Sequence, residues 1–298
     1  MLRGAGGVGS AMFTVAAYSL LLRVADAGRR GRATGAFQGG FLIGGIAGPA
    51  FGGPLTGASV RLPFFVYAGT LGVAGAIAVG ALARMAPPAA STPAAGPDGQ
   101  RTSLAEALAD RSYRAALLAN VGTGWALFGV RSSLVPLFVV EGLRRGPEWT
   151  GIGLVLGSAA QALLLLLRAG RVTDQVGRRP ALLLGSSLAT VSMLLLALSA
   201  TLPAYLVAMG LLGAGAAFLG TAPAAVVGDT VRGRGGSVVA VFQMAGDLGA
   251  IVGPLVAGWL ADEASYGAAW GSVAAVLAVG LVAALTMPRR PPPAPTPA

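Results

Sequence analysis

The 298-residue sequence contains no cysteine and no histidine. The first absence excludes disulfides, thiolate catalysis and cysteine-based metal sites. The second removes HExxH zinc chemistry, histidine relays and Ser-His-Asp triads. Lysine is missing too, so all 21 basic residues are arginine. Charge is scarce: 11% of residues are charged, against about 25% in an average soluble domain. There is no Walker loop and no nucleophile elbow. Neither an enzyme nor a cofactor nor a bound metal is expected.

What the sequence has instead is apolar length. Hydrophobic residues make up 55% of the chain, and mean hydropathy is +0.74. They come in blocks near the ~20 residues that a membrane-spanning helix needs. The pattern predicts an all-α polytopic membrane protein with nine transmembrane helices. They fall at 3–23, 34–56, 63–85, 114–140, 150–169, 180–200, 203–228, 236–260 and 267–287. The first block has only Arg3 as a basic lead, and its length suits a span better than a signal peptide. A net charge of +10 would suggest nucleic acid as the partner of a soluble protein. Here the arginines sit in the gaps between apolar blocks, so the expected partner is the lipid bilayer and not nucleic acid.

Arginine placement also predicts orientation. The gaps at 23–32, 84–114, 168–179 and 232–234, with the tail at 289–290, hold 16 arginines. The opposite loops hold Arg61, Arg144 and Arg145. The Arg-rich side is expected to be cytoplasmic, with the C-terminus inside and Met1 outside. Residues 86–102, "APPAASTPAAGPDGQRT", read as a linker. "SLAE" at 103–106 has the spacing of a capping box, which predicts a short amphipathic helix before the fourth span. The tail at 289–298 is too Pro-rich to fold.

An internal repeat organises the chain. "FQGGFLIGGIAGP" at 37–49 returns as "FQMAGDLGAIVGP" at 242–254, an offset of 205 residues. Parallel repeats of about six helices are one arrangement of secondary transporters. The second copy has spans four to seven before it and span nine after it. The first copy has one span before it and one after. The arithmetic predicts that three helices are absent from the front of this chain.

Three motifs resemble those of the major facilitator superfamily, in particular its drug-efflux-type proton antiporters. The loop motif G-x-L-x-D-R-x-G-R-R/K resembles Gly170, Asp174, Gly177, Arg178 and Arg179, with Val172 and Gln175 departing from it. The antiporter motif G-x-x-x-G-P-x-x-G-G matches Gly44, Gly48, Pro49, Gly52 and Gly53. The fourth-helix motif R-x-x-Q-G-x-G resembles Arg3, Gly7 and Gly9, with Gly6 in place of Gln. The resemblance implies that 1–85 is a partial N-terminal bundle, the family's helices four to six. It makes 86–112 a cytoplasmic linker and 113–288 a complete C-terminal six-helix bundle, the family's helices seven to twelve. It further implies efflux of a small molecule against proton influx across the plasma membrane, or a truncated and inactive fragment of such a transporter.

Several residues carry this reading. Gly44, Gly48 and Gly52 share one helical face, and Pro49 bends the helix. This suits a packing seam or, with the Pro and the repeat, a moving contact between halves. Gly249, Gly253 and Pro254 are its second copy. Asp174 lies among arginines, and the resemblance implies a charge latch there. Arg131 is charged inside the fourth span, where an ionisable group faces a polar cavity or a partner, or snorkels outward. Asn120, Gly124, Leu127 and Arg131 follow α-helical spacing on one face, and the resemblance implies that this helix lines the substrate pathway. Asp247 is the acid deep in a span, a proton-coupling candidate with Arg3, or a structural hydrogen-bond partner.

Overall fold

A computed structural model describes residues 61–84, 102–167, 173–231 and 236–288. Between 9 and 44 it describes 12–17, 20–21, 36–37, 39–40 and single positions 9, 33 and 44. The chain divides into two compact units, Gly40–Gln100 and a second formed by Met1–Gly39 with Arg101–Ala298. The described secondary structure is helical throughout, without strands. The expected spans at 3–23 and 34–56 lie largely outside the described residues. So do residues 85–101 and the tail at 289–298.

In the smaller unit, α1 (Leu62–Arg84) is a 23-residue helix, apolar on all sides. Phe64, Phe65, Tyr67, Val73, Ile77 and Val79 are all exposed within the chain. A helix apolar all round suits lipid or a buried position, not a water-facing surface. Thr70 closes its hydroxyl onto the Tyr67 carbonyl at 2.8 Å, which removes the polar cost within the helix.

In the larger unit, six helices among the described residues are long and apolar enough to cross a membrane. The short α2 (Leu104–Ala109) comes first and carries the expected capping box. The Ser103 N–H donates to Glu106 Oε2 at 2.9 Å, and the Glu106 N–H donates to Ser103 Oγ at 3.2 Å. Asp110 then caps the next helix, accepting from the Ser112 N–H at 2.8 Å. That helix, α3 (Arg111–Gly142), is the first span. It is followed by α4 (Glu148–Leu167) and α5 (Arg178–Leu198). Then come α6 (Leu202–Leu219) with α7 (Ala222–Thr230), which form one span, α8 (Gly236–Glu263) and α9 (Tyr266–Leu285).

Small residues set the packing. Lipid tails are as apolar as leucine, so helices gain by close approach more than by burial. α4 meets α6 where a Cβ on Gly213 would collide with the Gly157 carbonyl. α5 meets α6 where a Cβ on Gly185 would lie 3.1 Å from the Gly215 carbonyl oxygen. α5 also packs on α9, and α3 on α8 and α9. Polar side chains bond across these seams. The Tyr113 hydroxyl donates to the Val238 carbonyl at 2.7 Å, and Ser192 donates to the Ala208 carbonyl at 2.6 Å.

The α3 span is not one α-helix. Residues Gly124–Val130 and Phe138–Gly142 are π-helical, with Pro136 between them. An i→i+5 turn takes in one residue more than an i→i+4 turn, about 100° of phase at 3.6 residues per turn. The α-spacing that placed Asn120 and Arg131 on one face therefore does not carry through this helix.

Candidate functional site

On either side of the phase shift in α3, Asn120 and Arg131 meet different neighbours. Asn120, in the α-helical part, donates from Nδ2 to the Phe242 carbonyl on α8 at 2.7 Å. Arg131, after the first π segment, donates from Nη2 to Ser158 Oγ on α4 at 3.1 Å. Arg131 lies 11 residues before the end of α3, and Ser158 lies 10 residues after the start of α4. At 1.5 Å per residue both sit about 15 Å from the loop that joins these helices, near the middle of a ~30 Å hydrocarbon layer.

Ser158 is held firmly. It is 8% exposed and follows Gly157, at the tightest part of the α4–α6 contact. Nearer the 143–147 loop, Tyr205 of α6 is fully buried and donates toward the Trp149 and Thr150 carbonyls, both at 3.3 Å. Gly153 makes room for it, since a Cβ there would collide with the Tyr205 hydroxyl. Charge alone picks out Arg131 in the sequence. Ser158 and Tyr205 could be suspected only from the Gly153–Gly157 spacing beside them.

The glycines of the second repeat copy face α3. A Cβ on Gly249 would collide with the Val121 carbonyl, and one on Gly253 would lie 2.9 Å from Trp125 Cγ. Pro254 fits against Gly129, where a Cβ would come within 2.8 Å of its Cδ. This copy is thus a seam inside the larger unit. Asp247 lies on the far side of α8, exposed among Met244, Leu248 and Ile251. Of the first copy, Gly44 is described, in a helical position, while Gly48, Pro49, Gly52 and Gly53 lie outside the described residues. Arg3 and Gly170 also lie outside them.

At the Arg-rich end of the bundle, the 173–179 loop forms a charge cluster. Arg178 Nη1 lies 3.3 Å from Asp174 Oδ1, and its Nε donates to Asp229 Oδ2 at 3.0 Å. Asp174 is 4% exposed. Arg178 Nη1 also donates to the Thr173 carbonyl at 3.0 Å. The buried hydroxyls of Thr173 and Thr221 lie 3.2 Å apart. Arg179 donates to the Leu285 carbonyl at 2.9 Å, where its charge suits the C-terminus of α9. Gly177 is in the left-handed region, at φ 116°, a backbone state that only glycine adopts without strain. Asp229, at the end of α7, is the partner that the loop sequence does not disclose.

Six apolar spans, seams of small residues and a guanidinium held at mid-span define a polytopic helical membrane protein with a polar element inside its bundle. The family model of the Major Facilitator Superfamily matches residues 1–164 and again 149–298, and the chain belongs to this superfamily of membrane transporters. Comparison with curated proteins finds no match.

Proposed function

We propose that this transporter exports a small molecule in exchange for protons, by alternating access, across the plasma membrane. The observation that carries the reading is the Arg131–Ser158 pair, a charge placed about 15 Å deep. A span needs no charge at that depth for its own stability, so its presence favours a substrate pathway. In this reading the cluster of Asp174, Arg178 and Asp229 latches the cytoplasmic end. The glycines and proline of residues 44–53 form the moving contact between halves. Asp247 and Arg3 are the proton-coupling candidates. The Arg-rich loops and the C-terminus face the cytoplasm.

The test is dye efflux from proteoliposomes under an imposed proton gradient, with anionic, neutral and cationic dyes. It is run on this chain and on a form extended at its N-terminus by three apolar spans. Efflux that collapses with an uncoupler supports the reading. Efflux indifferent to the gradient removes the proton exchange, and its absence in both forms removes the transport role.

A further inference from the structure

Away from the helix ends, the six described spans hold a single arginine, Arg131. A guanidinium presents five N–H donors in a planar fork. One hydrogen bond engages it, from Nη2 to Ser158 Oγ at 3.1 Å. No carboxylate among the described residues pairs with it, whereas Arg178 has two. A neutral hydroxyl accepts a bond but leaves the charge uncompensated. The Ser158 proton is also unused among the described residues. Thr123, Ser132, Ser133 and Ser192 each return theirs to a backbone carbonyl. Ser158 accepts from Arg131 and donates to nothing described. Two kinds of donor, one of them cationic, thus converge at mid-span, and apart from Ser158 Oγ no acceptor among the described residues engages them.

We propose that this pair is an anion-recognition element and that the transported molecule carries a carboxylate. The proposal rests on the transport reading and names its substrate class. The carboxylate bridges the free edge of the Arg131 guanidinium and the Ser158 hydroxyl. The fork geometry matches carboxylate and phosphate alike. A single positive charge decides between them: a monoanion is neutralised there, while a phosphate near −2 would leave charge uncompensated in an apolar span. Apolar and small residues flank both positions along their helices, so the matching remainder of the substrate is an aliphatic or aromatic body.

The test uses the purified chain in zwitterionic nanodiscs and three probes of one shape: 2-naphthoate, 2-naphthamide and 2-naphthylmethylammonium. Naphthalene fluorescence reports binding. The carboxylate should bind roughly tenfold or more tighter than the amide, as expected for a charge-assisted bidentate contact, and the ammonium should bind weakest. Arg131→Gln should abolish that preference. Arg131→Lys should keep part of it, since the charge remains and the fork is lost. Ser158→Ala should reduce it severalfold. Absence of preference in the unaltered chain, which requires no variant to fold, overturns the proposal. So does a preference that survives Arg131→Gln. Transport is scored separately in proteoliposomes. Charge-selective binding without movement supports this inference and counts against the transport reading. Movement of cationic dyes without carboxylate preference does the reverse.

Discussion

Arg178, at the head of α5, lies between two carboxylates, whereas Arg131, in the middle of α3, meets a hydroxyl. The two arginines belong to one bundle and share one side chain, yet their surroundings answer the charge differently. At the Arg-rich end, Asp174 and Asp229 neutralise the guanidinium and tie the 173–179 loop to the end of α7. At mid-span Ser158 engages the guanidinium, and no carboxylate among the described residues pairs with it. Ionic closure with two acids suits a structural tie, while in the proposed reading a charge that no described carboxylate answers suits a site. The comparison turns on stability: removing Arg178 should damage the fold, and removing Arg131 should not.

The largest effect is expected from Arg178→Ala. It removes the guanidinium that lies between Asp174, which is 4% exposed, and Asp229. Breaking a buried pair by removing one partner costs 3–5 kcal/mol. Arg178 and Asp229 are partly open to solvent, at 16% and 25%, so the lower end, about 3 kcal/mol, applies. Unfolding in mixed detergent micelles measures it, and a loss below about 0.5 kcal/mol, the scale of ordinary surface changes, would break the comparison.

Packing gives the next effect and separates it from charge. Gly249→Leu must displace the Val121 carbonyl and Trp125 across the α3–α8 seam. Overpacking of this kind costs about 1–3 kcal/mol. At Gly258, on the same helix, an added Cβ meets nothing within 4 Å, so Gly258→Leu should cost far less. Equal losses at both positions would mean that the seam is not where α8 is held. Asp229→Asn comes third, at about 1 kcal/mol, because it keeps a hydrogen-bond acceptor while Asp174 still answers Arg178. A loss as large as that of Arg178→Ala would assign the whole cluster to Asp229.

Much of the larger unit was legible in the sequence. Apolar block length located the spans from 111 to 285, and Ser103 with Glu106 announced the capping box. Arg131 stood out by charge alone. Its partners did not. Ser158 lies 27 residues away and Asp229 lies 51 residues from Arg178, and nothing local links them. The phase of α3 was hidden for a different reason. A π turn changes the phase of a helix without changing the residue types along it, so the sequence carries little sign of it. The π segment contains Gly124 and Gly129, both in close contact with α8. Neither glycine gives a sign in the sequence of the altered turn.

The smallest expected effect is the most telling one for the two arginines. Arg131→Gln removes a charge whose placement at a helix centre costs about 2.5–3.5 kcal/mol on insertion scales. It also removes a charge-assisted hydrogen bond to Ser158, worth about 1.5–3 kcal/mol. The two terms nearly cancel, and the glutamine amide can still reach toward Ser158 with a neutral bond. Stability should therefore change by less than about 1 kcal/mol, with a gain as acceptable as a loss. The measurement is the same detergent unfolding, run beside Arg178→Ala under identical conditions. A loss by Arg131→Gln matching that of Arg178→Ala would make Arg131 a structural tie like its counterpart, and the distinction between a closed charge and an open one would fall. Near-equality with the unaltered chain, alongside a clear loss for Arg178→Ala, leaves Arg131 without a structural reason to be charged and leaves ligand recognition as the reason for its charge.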